Sequence, residues 1–233
     1  MPHGSRPGSR AARVRPVAVA ALVAAVALLL VGCAGAAFDP TGPCTSDGSA
    51  SGSYPDLEAQ VPKLFRGSAP SVVDSGRTCT QEGLGTLTGH GVKELRFGGS
   101  TWETGSQSGL SLAVFTSPDG SALPPGWLAE FYESGARTGK NVEQVVPTTF
   151  EIQPGVSAQR IDVLNGESYQ TVIVWPQGGV VAAVLVADFI REIQTKDAHD
   201  KIVQEAIAAW APVNVPVPAD VAPVEPVTPA PSA

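Results

Sequence analysis

Residues 156–187 constrain the fold more than any other stretch. They read VSAQRIDVL, NG, ESYQTVIVW, PQGG, VVAAVLVA. Asn165-Gly166 between two alternating runs is the strongest short-range hairpin signal, because the favoured two-residue turn needs positive φ at its centre. In the second run Tyr169, Thr171, Ile173 and Trp175 share one face, with Val172 and Val174 on the other. Pro176-Gln177-Gly178-Gly179 then reverses the chain into 180–187. That last run is apolar on both faces, so it belongs at the centre of a sheet that is covered on both sides.

The flanking segments fit the same plan. Residues 92–103 and 110–116 read as two more strands, with Gly98-Gly99 marking a bulge or bend. A weak strand is expected over 146–152. Residues 124–138 form the clearest helix, with Trp127, Leu128, Phe131 and Tyr132 on one stripe. Residues 197–210 close the domain as a helix with Asp197 as N-cap and Ile202, Val203, Ala206, Ile207 and Trp210 as its buried face. Two short helices are expected at 54–65, with Leu57, Val61, Leu64 and Phe65 inward, and at 79–87, after Ser75-Gly76. The sum is a single α+β domain over about 54–210, a mostly antiparallel sheet covered by helices.

The N-terminus carries an address. Arg6, Arg10, Arg13 and Arg15 precede the unbroken apolar run 17–31, the order of a secretory signal peptide. The run is short for a membrane-spanning helix, which needs about 20 residues; an uncleaved anchor is the alternative. Leu30-Val31-Gly32-Cys33 resembles the lipobox of bacterial lipoproteins. That resemblance implies removal of 1–32, a diacylglyceryl group on the Cys33 thiol, and a fatty acyl such as palmitate on the new amine. Two chains anchor stably where one holds only marginally. The expected location is the extracytoplasmic face of a cell membrane. Residues 33–53, rich in Gly, Ser and Pro, read as a lipidated flexible tether, and 211–233 as a Pro-rich disordered tail.

Lipidation of Cys33 also resolves an odd cysteine count. It leaves Cys44 and Cys79, which an oxidising compartment would join as a disulfide. Two free buried thiols are the alternative. The mature part holds all 22 acidic residues against 11 basic ones, a net charge of −11. That balance argues against nucleic acid and against electrostatic attraction to anionic lipid.

The order from 93 to 210 is strand, strand, helix, hairpin-linked strands, closing helix. With Gly155, Ala158, Arg160 and Ile161 before the hairpin, the QTVIVW strand, and Ile202 to Trp210, it resembles the PsbP/Mog1-like fold, which some bacterial lipoproteins share. Members of that fold mostly bind or assist assembly and are usually not enzymes. The resemblance transfers no functional residue, and segment 54–90, with the Cys79 half of the pair, departs from its pattern.

Motifs for chemistry are sparse. Gly105-Ser106-Gln107-Ser108-Gly109 puts Gln where a nucleophile elbow needs Ser. No zinc spacing, Walker loop or dinucleotide fingerprint is present, so no metal and no cofactor is expected. His90 sits on a loop, and His199 is expected near the start of the last helix, facing solvent. Trp127, Phe131, Tyr132, Tyr169 and Trp175 are candidates to line a ligand pocket, with packing in the core as the plainer reading. The function expected is a membrane-anchored binding module for a small or lipid-like ligand or another envelope protein. The alternative is a surface-tethered hydrolase with its site around His90.

Overall fold

The computed structural model describes residues 38–210. The expected signal peptide, Cys33 and the Pro-rich tail lie outside the described residues.

Eight strands form one antiparallel sheet: β1 (Gly48–Ala50), β2 (Val72–Thr78), β3 (Leu95–Glu103), β4 (Gly109–Thr116), β5 (Val142–Gln153), β6 (Val156–Asn165), β7 (Ser168–Gln177) and β8 (Val180–Phe189). Their order is β1-β2-β3-β4-β8-β7-β6-β5. The first four make a meander. The chain then crosses one face through α3 (Pro125–Arg137) to the far edge, and a second meander returns until β8 pairs with β4. β8 is therefore central, as its doubly apolar sequence requires. Val181, Ala182, Ala183 and Val184 are all fully buried.

Helices cover both faces. On one side lie α1 (Pro55–Glu58), α4 (Ile190–Ile193) and α5 (Lys196–Ala208). Here Leu112, Val114, Ile173, Trp175 and Val184 pack against Val203, Ala206 and Trp210. On the other side α2 (Gln81–Leu84), the 3-10 turn Gly85–His90 and α3 cover Phe97, Phe115, Val172, Val174 and Val181. The hairpin forms, but its two-residue loop is Gly166-Glu167 and not Asn165-Gly166: Asn165 ends β6 paired with Ser168, and Gly166 takes the positive φ, 32°. The Asn165 side-chain oxygen accepts from the amide and hydroxyl of Ser168 at 3.1 and 2.7 Å.

Several segments differ from the sequence reading. The helix expected over 54–65 ends at Glu58. Leu57, Val61 and Phe65 are buried, but Leu64 is 58% exposed. Pro62 stops a helical turn from carrying on, and Arg66-Gly67, at φ 51° and 76°, close a tight reversal between Phe65 and Ser68. Ser75 and Gly76 are not a helix approach; they lie within β2. Gly76 is required there, since a Cβ would sit 2.2 Å from the Gly48 carbonyl oxygen of β1. The second short helix is only Gln81–Leu84, capped by Thr80, whose hydroxyl accepts from the Gly83 amide. The weak strand at 146–152 is the full edge strand β5. In α5 the N-cap is Thr195, accepting from the Ala198 amide, and not Asp197.

The stretch 38–53, assigned by composition to the tether, is largely bound to the sheet. β1 pairs with β2 over Gly48–Ala50. The buried Arg77 guanidinium donates to the carbonyls of Asp39 and Pro43 at 3.0 and 3.1 Å. Asp47 accepts from the Cys79 and Thr80 amides at 2.7 and 2.9 Å and from the Thr80 hydroxyl at 2.6 Å. Cys44 and Cys79 form the expected disulfide, with Cα atoms 5.9 Å apart.

Candidate functional site

Two constellations stand out, one on each face of the sheet. The first surrounds His90. The 3-10 turn delivers this residue, and Gly91 at φ 80° turns the chain away behind it. Its imidazole stacks on Trp127 of α3, with ring centroids 4.6 Å apart and planes 8° from parallel. Its Nε2 lies 2.7 Å from Glu130 Oε2. Trp127 and Glu130 are three apart, so one helical face supplies both the stacking surface and the acid. The rings border an open groove of about 610 Å³. Cys44, Lys93, Glu94, Ser117 and Leu123 line it as well. Among the described residues neither serine of this groove is hydrogen-bonded to His90. Ser117 and Ser121 both donate to Asp119, holding its carboxyl down at about 2 and closing the turn after β4.

The second constellation is a chain of polar side chains between α5 and strands β6 to β8. Asp188 Oδ2 is 2.7 Å from His199 Nδ1, and His199 Nε2 is 2.8 Å from the Thr171 hydroxyl. Thr171 donates to Asp162 Oδ1 at 2.6 Å. Asp162 receives two bonds of 2.8 Å from Arg160, which also reaches Asp200. Lys196 bonds both Asp200 oxygens at 2.8 Å. Asp188, His199 and Thr171 are 0, 1 and 1% exposed. Burial works against the Asp200 carboxylate, but hydrogen bonds from Lys196 and Arg160 outweigh it and hold this carboxyl low. The same logic raises Arg160: burial opposes the guanidinium, and Asp162 and Asp200 overcome that. A groove of about 270 Å³ opens beside this chain, lined by Gln144, Val146, Asp162, Tyr169, Lys196 and His199.

Acid, imidazole and hydroxyl follow one another here as in a hydrolase triad, but the geometry is not that of a nucleophile. Thr171 lies in the middle of β7, closed off from solvent, with its hydroxyl clasped between His199 and Asp162. No substrate carbonyl can approach it. The network instead pins α5 to the sheet with every charged partner satisfied but one oxygen, Asp188 Oδ1.

His199 was expected to face solvent and is one of the largest fully buried side chains. It lies three before Ile202 and four before Val203, so the apolar stripe itself already passed through it. The five aromatic candidates do not share a pocket. Trp127, Phe131 and Tyr132 lie on the α3 side of the sheet. Tyr169 and Trp175 lie on the α5 side, Tyr169 tilted against His199 and Trp175 edge-on to Trp210. Nothing in the sequence pattern gives Glu130, Asp162, Thr171 or Asp188 a role in a site. The loop over Gly166-Glu167 places Asp162 opposite Thr171, whereas a loop over Asn165-Gly166 would set it opposite Tyr169, and nothing local marks Asp188 as the partner of a histidine eleven residues on.

Among the described residues no three His, Cys, Asp or Glu side chains converge as a metal ion needs, and no helix is long and apolar enough to cross a membrane. A scan against protein-family models finds no match, and a search of curated proteins finds none at a significant level.

Proposed function

We propose that this chain is a lipoprotein, held by acyl groups on Cys33 at the extracytoplasmic face of a membrane, whose domain is a binding module of the PsbP/Mog1-like kind. It takes a small or lipid-like ligand or a second envelope protein at the His90–Trp127 groove. One observation carries the choice of site: the groove includes Cys44 in its rim. Cys44 follows Cys33 by 11 residues, a span of at most about 40 Å when extended. A groove so tethered works close to the membrane surface, where envelope partners and lipid headgroups are. The succession β3, β4, α3, β5 to β8, α5 supports the fold assignment. The split of the aromatic set between two faces favours a surface groove over one aromatic-lined interior pocket.

The test is capture from solubilised membranes with the full chain, read for both protein and lipid. Wild type retains a partner that Trp127→Ala loses by about tenfold, the weight of one aromatic anchor. Equal retention by both proteins removes the groove from the account. The hydrolase reading keeps one supporting contact, the 2.7 Å approach of Glu130 to His90. Among the described residues no hydroxyl is hydrogen-bonded to that histidine, as general-base catalysis of acyl transfer would need. Ester turnover that vanishes in His90→Ala would revive it.

A further inference from the structure

We propose that the Thr171 hydroxyl is a proton toggle, through which the protonation of His199 sets the position of the Asp162 wall of the smaller groove. Both Asp162 oxygens accept from Arg160, Oδ2 from Nε and Oδ1 from Nη2, each at 2.8 Å. The carboxyl is therefore a proton-free acceptor. Thr171 has one proton and two neighbours in hydrogen-bond range, Asp162 Oδ1 at 2.6 Å and His199 Nε2 at 2.8 Å. Its proton points to Asp162, so the contact with Nε2 needs a proton from the ring. Nδ1 lies 2.7 Å from Oδ2 of the buried Asp188, and with Asp188 as the carboxylate it is the ring that donates. In this arrangement both ring nitrogens carry protons.

Removing the Nε2 proton changes the sense of one bond. Nε2 becomes an acceptor, and the Thr171 hydroxyl rotates to donate to it. Two oxygens without a proton between them are then left facing each other at the Thr171–Asp162 contact. That contact turns from attractive to repulsive, and Asp162 moves away from β7. Asp162 carries Arg160 with it, and through Arg160 and Asp200 it is joined to Lys196 in the first turn of α5. Asp162, Lys196 and His199 all line the groove of about 270 Å³, so its shape follows the proton. The charged and titratable groups around His199 are Asp188 from β8, Tyr169 from β7, Asp162 and Arg160 from β6, and Lys196 and Asp200 from α5 itself. β5 brings only the uncharged Gln144 and Val146 to this groove. The protonated state keeps one more hydrogen bond than the neutral state. The closed arrangement is thus the low-pH one, and rising pH loosens it.

The experiment is a nitrogen-15 and carbon-13 NMR titration of the full chain from about pH 5 to about pH 8, where imidazole charge changes are accessible. The expected result is two ring N–H groups on His199 at the acid end. Loss of the Nε2 proton is accompanied, at the same midpoint, by a shift of the Asp162 carboxyl carbon. Over the same interval the amides of the first turn of α5 exchange about tenfold faster, the weight of one hydrogen bond. In Thr171→Val, His199 still titrates but Asp162 no longer responds at that midpoint. A His199 that keeps one protonation state throughout overturns the proposal. So does an Asp162 carboxyl that stays still while Nε2 loses its proton, or one that responds equally in Thr171→Val. If Thr171→Val does not fold, the wild-type co-titration decides alone.

Discussion

At the scale of residues, the side chains that matter most are polar groups satisfied in unusual surroundings. Asp47 is one. Burial by itself would raise its carboxyl, but the hydrogen bonds from Thr80 and from the amides of Thr80 and Cys79 outweigh that and set it below the ordinary 3.8. A carboxyl lowered by folding stabilises the fold above its unfolded value, and that contribution is lost as pH falls through the folded one. The stability advantage of wild type over Asp47→Asn is therefore expected to be full near neutrality and to shrink below about pH 4. Thermal melts of both proteins across that range measure it; an advantage that grows on acidification contradicts it. Leu64 makes the opposite point. It is a large apolar residue left in solvent, because the turn that follows Glu58 is no longer helical and its i, i+3 spacing loses meaning.

At the scale of elements, α5 separates what could be read from what could not. Its length and buried stripe were legible in the apolar spacing of Ile202, Val203, Ala206 and Trp210. Its cap was not. Thr195 and Asp197 are both good capping residues, and only the backbone path after Gln194 at φ 63° decides between them. Thr195→Ala is expected to cost about 1 kcal/mol, and Asp197→Ala clearly less. Chemical denaturation of the two variants distinguishes them, and an equal loss contradicts the cap assignment. Strands β6 to β8 were legible because turn chemistry and alternation agree there. β1 and β2 were not, since GSA and VVDSGRT carry no alternation and their pairing depends on a close approach at Gly76 that only the folded sheet imposes. The larger part of both sites was hidden for the same reason. Spacing along the chain reports neighbours on one element, whereas Glu130 meets His90, and Asp188 meets His199, across elements.

At the scale of the whole molecule, the disulfide joins the segment nearest the expected anchor to the end of β2, across a separation of 35 residues. Chain entropy assigns it roughly 3–4 kcal/mol. Reduction is expected to lower the urea midpoint by a corresponding amount and to free residues 38–50 first, seen as faster amide exchange in β1. Unchanged β1 protection after reduction would show that sheet pairing alone holds this segment. The proposed lipid on Cys33 would hold a groove rimmed by that segment at a membrane. Its most direct test is metabolic labelling with a radioactive fatty acid, comparing the full chain with Cys33→Ala in the same cells. Label in wild type and none in Cys33→Ala is the predicted result; equal label in both contradicts the anchor.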